Sequence, residues 1–260
     1  MQEYEGAGAT FYDYFELGQR GDTRFYVEEA QKAGAPVLEL GCGTGRTLIP
    51  VAQAGIEVVG VDRSPDMLSI AEQHLSGLSA EVRDRVELVH GDMRSFSLEM
   101  RFNLIMIPNR SFLHLLTVED QRQALGRIHD HLAHGGCLAF NVFDPRLEWI
   151  VEDYRFPESP LRKHAEFVRP ETGNRVVVWA TRNYEPEGQI IKEDFIFEEL
   201  DGAGMSVARS YSSLTLRYVS RYEMQHLLEL CGFKVESLYG DFQRGPFHYG
   251  GEQVWIARRS

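Results

Sequence analysis

Residues 39–45 read Glu-Leu-Gly-Cys-Gly-Thr-Gly, an acid followed by three alternate glycines, Gly41, Gly43 and Gly45, just after the apolar stretch that begins at Val37. Glycine has no Cβ, so such a loop lets backbone amides approach a nucleotide cofactor closely. Two cofactors compete for it: a dinucleotide that carries hydride and a sulfonium nucleoside that carries a methyl group. The dinucleotide fingerprint is G-x-G-x-x-G. Gly41 and Gly43 fit its first two positions, but the third falls on Arg46. Glu39, at the tip of the first expected strand, is a carboxylate suited to an ammonium group. Asp62 closes the segment EVVGVD and Asp92 lies in VHGDM, so acids end two further expected strands. A carboxylate at the Asp62 position accepts from both ribose hydroxyls in either cofactor class. The plain alternatives are a packing turn and unrelated capping acids.

These residues need a sheet to bring them together. Over 36–143 short apolar runs (PVLEL, EVVGVD, VELVHGD, FNLIMIP, CLAFNVF) alternate with helix-like segments. That alternation predicts a parallel sheet covered on both faces, with ligands at the carboxyl ends of its strands. Ser64-Pro65 predicts a capped helix start, and Thr117 with Asp120 resembles a capping box on a helix ended by Gly135-Gly136. Pro50 falls in the first turn of its helix, where a missing amide costs little. Over 162–218 the pattern changes to strand-like runs separated by ETGN, PEG and DGAG. Short turns between adjacent strands predict an antiparallel sheet. SRYEMQHLLELCG then predicts a helix, followed by a return to the main sheet in FKVESLYG and QVWIARR.

The chain has 260 residues and a net charge of −12. A nucleic-acid binder needs a basic surface to displace counterions, so DNA and RNA partners are disfavoured. The start MQEYEGAGATFYDYF is neither basic nor apolar, and LIMIP (104–108) is too short for a bilayer, so no membrane partner is expected. Three scattered cysteines, Cys42, Cys137 and Cys231, form no CxxC pair; this points to a reducing cytoplasm and no structural zinc.

The acidic-x-G-x-G-x-G pattern, with Asp62 and Asp92 behind it, resembles motif I of the class I S-adenosylmethionine-dependent methyltransferases. The resemblance implies an α/β fold: a doubly wound, mostly parallel seven-stranded (Rossmann-like) sheet with its last strand antiparallel and an antiparallel β insertion as lid. It implies S-adenosyl-L-methionine as methyl donor, S-adenosyl-L-homocysteine as product and no metal. By the same resemblance Asp92 meets the adenine amino group, the Met93 backbone a ring nitrogen, and Met67 the adenine face, with Pro108 also in the cofactor set. Met67 at helical spacing fits a core position equally well.

The segment IPNRSFLHLLT (107–117) is where such enzymes place acceptor-facing residues. It lacks the D/N-P-P-Y/F motif of base-amine methylation, and it lacks a cysteine for attack on cytosine; a small-molecule acceptor, methylated on nitrogen or oxygen, remains. FYDYFELGQRGD, GDMRSF, FNLIMIPNRSFLHLL and the late insertion look like the N,N-dimethyltransferases of aminodeoxysugar biosynthesis, although NRSFLHL and FDPRLEW depart from their patterns. On that likeness 1–35 is an N-terminal cofactor lid, 36–143 with 219–260 the cofactor domain, and 144–218 a substrate lid or homodimer contact. Tyr12 matches the tyrosine of the Y-D-x-F segment as lid and catalytic candidate, with aromatic packing beside Phe11, Tyr14 and Phe15 as its competitor. His114 is the candidate base, or a core histidine among Phe112, Leu113, Leu115 and Leu116. Arg110 suits an acceptor carboxylate or phosphate, or else a solvated surface. Asn109, Asp144 and Tyr239 complete the acceptor set. The rival to an enzyme is a donor-binding scaffold or sensor without transfer.

Overall fold

The computed structural model describes residues 4–15, 18–155 and 160–259, so 1–3 and 16–17 of the expected lid and 156–159 of the insertion lie outside the described residues. Contacts divide the chain into two units, Met1–Leu17 with Arg146–Arg217, and Gly18–Pro145 with Tyr218–Ser260.

The first unit contains the short helices α1 (Ala7–Thr10) and α2 (Tyr12–Phe15) and, farther along the chain, an antiparallel sheet. In the second unit α3 (Asp22–Ala33) precedes β1 (Val37–Leu40), α4 (Leu48–Gln53), β2 (Val58–Asp62), α5 (Pro65–Ser76), α6 (Ala80–Arg83), β3 (Val86–His90) and β4 (Phe102–Ile107). A 3₁₀ turn (Ser111–His114), α7 (Val118–His131) and β5 (Leu132–Phe143) follow. The chain passes through α8 (Leu147–Arg155), β6 (Arg162–Val168), β7 (Arg175–Glu185), β8 (Ile190–Leu200) and β9 (Ser206–Arg217) in the first unit. It returns to the second as α9 (Arg221–Leu230), β10 (Phe233–Tyr239) and β11 (Glu252–Arg259).

The large sheet has the order β3-β2-β1-β4-β5-β11-β10. Pairings from β3 to β5 are parallel, and β11 runs antiparallel to both its neighbours. Strand order reverses between β1 and β4, which leaves a crevice outside the carboxyl ends of those strands. β1 is buried at every residue and β4 at all but one, which is why both read as continuous apolar runs rather than alternating ones. Phe25 and Tyr26 of α3 are fully enclosed in the core with Val37, Leu104, Met106 and Val254. Each such side chain contributes about 1.5–3 kcal/mol of burial.

Two local expectations are corrected. The α7 helix starts as its cap foretells, with the Asp120 amide donating to Thr117 Oγ1 at 3.0 Å. It ends at His131 rather than at Gly135-Gly136, because Leu132 already begins the strand and pairs with Phe102. The 35 N-terminal residues also do not act as one element. Phe11, Tyr14 and Phe15 pack with Val176, Val178, Phe195 and Phe197 of the antiparallel sheet, whereas α3 belongs to the core of the large one.

The smaller sheet, β6-β7-β8-β9, is antiparallel throughout. Among the described residues no helix is long and apolar enough to cross a membrane, and no group of three His, Cys, Asp or Glu is placed to hold a metal ion.

Candidate functional site

The glycine loop leaves β1 and turns beneath the start of α4. Gly41 has φ +71° and Gly43 φ +54°, conformations that an L side chain rarely adopts. Space is also tight: a Cβ on Gly41 would lie 2.8 Å from Ser111 Cβ, and one on Gly43 would lie 3.4 Å from Met67 Cε. The loop therefore draws in α5 through Met67, the turn after β3 through Met93 (Cε 3.8 Å from the same Gly41 position) and the 3₁₀ turn through Ser111. Gly45 (φ +85°) begins the climb into α4, its carbonyl accepting the Ile49 amide at 2.9 Å.

Asp62, at the end of β2, accepts the Gly43 amide on Oδ2 at 2.8 Å and the Ser64 amide on Oδ1 at 2.8 Å. Two backbone donors fix this carboxylate and leave lone pairs on each oxygen for vicinal hydroxyls. Ser64 in turn caps α5, its hydroxyl accepting from the Met67 amide. Asp92, expected to meet the adenine amino group, has a partner within the chain. Arg94 grips it with Nε to Oδ1 at 2.9 Å and Nη2 to Oδ2 at 2.6 Å, and extends Nη1 to Asp120 at 2.9 Å. That grip holds the Asp92 carboxyl below the usual carboxylate range.

Glu39 is buried at the strand tip, and its Oε2 has no hydrogen-bond partner. Burial pushes its pKa well up, against an opposing pull from Arg46. An orphaned buried carboxyl oxygen beside an amide-lined glycine cradle fits the cationic amino-acid end of a sulfonium nucleoside. A fixed carboxylate at Asp62 fits its ribose. Arg46, where a dinucleotide loop carries its third glycine, is instead clamped to α3. Its Nη1 and Nη2 donate to Asp22 at 3.0 and 2.7 Å, and Nη1 also donates to Thr23 Oγ1 at 3.0 Å.

Past β4 the buried Pro108 ends the strand, and its carbonyl accepts from the Ser111 hydroxyl and amide. Asn109 (φ 52°) and Arg110 (φ 65°) are consecutive left-handed residues that swing Arg110 sideways. Its guanidinium pairs with Glu252 through Nη2 and Nε and lies 5.3 Å from the Phe143 ring centre. Glu252 stands opposite Phe143 in the β5–β11 register. Its Oε2 also accepts from Asn141 Nδ2 at 2.9 Å, while Asn141 Oδ1 accepts the Tyr26 hydroxyl at 2.8 Å. Burial, then the negative charges of Asp22, Glu252 and Glu39, holds the Tyr26 proton well above the ordinary phenol range. The Tyr26 hydroxyl thus lies within the field of both the donor-end acids and Glu252.

The other sequence-derived candidates fall as follows. His114 is half-buried at the end of the 3₁₀ turn, between buried Leu113 and Leu115, so it is not a core histidine. Asp144 is buried and spends one oxygen on the loop before β11 and the other on that strand, accepting from Gly250 N and Gln253 Nε2 at 3.0 Å each. Tyr239 donates to Ser237 Oγ at 3.2 Å and meets Phe25 edge-on, so packing accounts for its contacts. Tyr12 is buried in the first unit, with its ring 5.6 Å from Tyr4 and 6.4 Å from Phe15. Asp22, Tyr26, Asn141, Arg94 and Glu252 went unread in the sequence. The acid after the Gly18–Gly21 turn and the one heading QVWIARR were the available signals.

Comparison with known proteins agrees with this geometry. A methyltransferase-domain family model matches residues 37–136. A cypemycin N-terminal methyltransferase from Streptomyces sp is 34% identical over 215 residues, covering 82% of this chain and 78% of the relative. A dTDP-3-amino-3,6-dideoxy-alpha-D-glucopyranose N,N-dimethyltransferase from Streptomyces fradiae is 25% identical over 246 residues, covering 92% and 88%. In fold, the CcbJ methyltransferase of Streptomyces caelestis superposes with a TM-score of 0.80 at 22% identity, over 100% of this chain and 98% of that one. The chain belongs to the S-adenosylmethionine-dependent methyltransferases, and it is an enzyme of that family.

Proposed function

We propose that the chain methylates a nitrogen of a small-molecule amine. The observation that carries this reading is the crowding of Ser111 against Gly41, where an added Cβ would lie 2.8 Å from Ser111 Cβ; it sets the turn carrying Asn109, Arg110 and His114 against the donor cradle. Of the two relatives named above, one is described as an N-terminal methyltransferase of cypemycin and the other as an N,N-dimethyltransferase of an amino dideoxy sugar. S-adenosyl-L-methionine supplies an electrophilic methyl group when bound. In this reading Glu39 and the loop amides hold its amino-acid end, Asp62 its ribose, and Asp92, Met93, Met67 and Pro108 its adenine side. In-line alignment can supply about 7–11 kcal/mol of the barrier. An ammonium acceptor must first lose a proton, and His114 is the base we assign to that transfer.

Asn109, Arg110, Asp144 and Tyr239 make up the acceptor side in this reading. A reducing, cytoplasmic setting for Cys42, Cys137 and Cys231 is part of the same reading. A homodimer through the antiparallel sheet is part of the same reading and rests on the family likeness. The test is a matched pair of acceptors differing only in amine against hydroxyl. S-adenosylhomocysteine release from the amine alone supports the assignment, and release from the hydroxyl alone overturns it.

A further inference from the structure

Arg94, Arg169 and Arg110 invite comparison, because each engages carboxylates with a divided guanidinium. Arg94 spends Nε and Nη2 on Asp92 and Nη1 on Asp120. Arg169 spends Nε on Glu171 and Nη1 on Glu199. Arg110 spends Nε and Nη2 on Glu252, and among the described residues its Nη1 makes no hydrogen bond and is not buried. Its side chain is 31% exposed, so the end-on edge of the fork is accessible.

The surroundings hold that edge in place. Glu252 is fixed by Asn141, and Asn141 by the enclosed Tyr26 hydroxyl. The Phe143 ring lies under the guanidinium, and the two left-handed residues after β4 set its direction. Arg110 is also next in sequence to Ser111, which touches the glycine loop. Asp22 and Asp92 at this end of the sheet are already held by Arg46 and Arg94, whereas Arg110 keeps spare donors that an incoming anion can take.

We propose that Arg110 reads an anionic group, a carboxylate or a phosphate, carried by the amine acceptor. Glu252, Asn141 and Tyr26 are its positioning residues. The inference rests on the amine-methylation reading above and narrows its substrate class to amines that also bear an anion. A planar fork held on one edge binds a second oxyanion on the other, as Arg94 does within this same chain.

The test uses the full chain saturated with S-adenosylhomocysteine and follows the arginine Nε–Hε signals by NMR. The Arg110 signal is assigned by its loss in Arg110→Lys, and Arg94 serves as an internal control because both its edges are engaged. Inorganic phosphate and acetate are titrated separately. A saturable shift of the Arg110 signal, with Arg94 unmoved, supports the proposal; phosphate alone or acetate alone names the anion. No saturable shift with either anion, or a parallel drift of all arginine signals, overturns it. Independently, Arg110→Lys should raise KM about tenfold for anionic amines relative to neutral ones, the loss of one charge-assisted fork. Amine turnover with an unresponsive Arg110 would sink this inference alone, whereas a responsive Arg110 without amine turnover would sink the methylation reading and leave an anion site.

Discussion

The Gly43 amide donates to Asp62 Oδ2 at 2.8 Å, so one carboxylate both shapes the glycine loop and faces the crevice. Removing it in Asp62→Ala takes away the loop's anchor and the proposed ribose acceptor together. We expect S-adenosylmethionine affinity to fall at least about tenfold, equivalent to about 1.4 kcal/mol, by calorimetry. An unchanged Kd would rule out the ribose role.

Gly41→Ala tests the close approach of the acceptor turn. A left-handed alanine costs about 1–2 kcal/mol, and overlap with Ser111 adds about 1–3 kcal/mol. Gly55 is the control: its φ is +88°, but nothing lies within 4 Å of the added Cβ. Denaturant midpoints should show Gly41→Ala as clearly the more destabilising of the two. Equal losses would mean that the Gly41–Ser111 contact does not constrain the fold.

Glu39 yields a prediction about protons. Its pKa is raised by burial, so the folded chain keeps a proton that the unfolded chain has already lost as pH rises above the ordinary carboxylate range. Stability therefore falls as pH rises from that range toward the raised value, and Glu39→Gln should flatten this dependence. Placing the donor's ammonium beside Glu39 favours the carboxylate, so cofactor binding should release a proton. Calorimetry in buffers of different ionisation enthalpy should show this release in the native chain and its loss in Glu39→Gln. Buffer-independent heats in the native chain would remove Glu39 from the ammonium contact.

Much of this site was legible because its parts are local. Acid, glycines and strand-end aspartates are spaced by β-strand and turn geometry, so Glu39, Gly41, Gly43, Asp62 and Met67 could be read from the chain and gather at one place. The Glu252 pairing was not legible, since Arg110 and Glu252 are 142 residues apart and meet only through the β5–β11 register. The grip of Arg94 on Asp92 was not legible either, because local spacing does not show that Arg94, two residues on, folds back onto it. The end of α7 was misplaced because Gly135-Gly136 looks like a helix stop, whereas strand pairing at Leu132 ends the helix first.

His114 is assigned as the base, and His114→Asn keeps a polar side chain without that function. Turnover should fall by about 10²-fold or more while S-adenosylmethionine affinity holds. Full activity on the native acceptor would exclude the role.

The central claim is methyl transfer to the nitrogen of a small molecule. Its most direct measurement follows methyl-labelled S-adenosylmethionine, incubated with the full chain and a metabolite library, into product by mass spectrometry. Label is expected on a low-molecular-weight amine, with one S-adenosylhomocysteine formed per methyl group. Label found only on RNA or protein, or on oxygen alone, would contradict it.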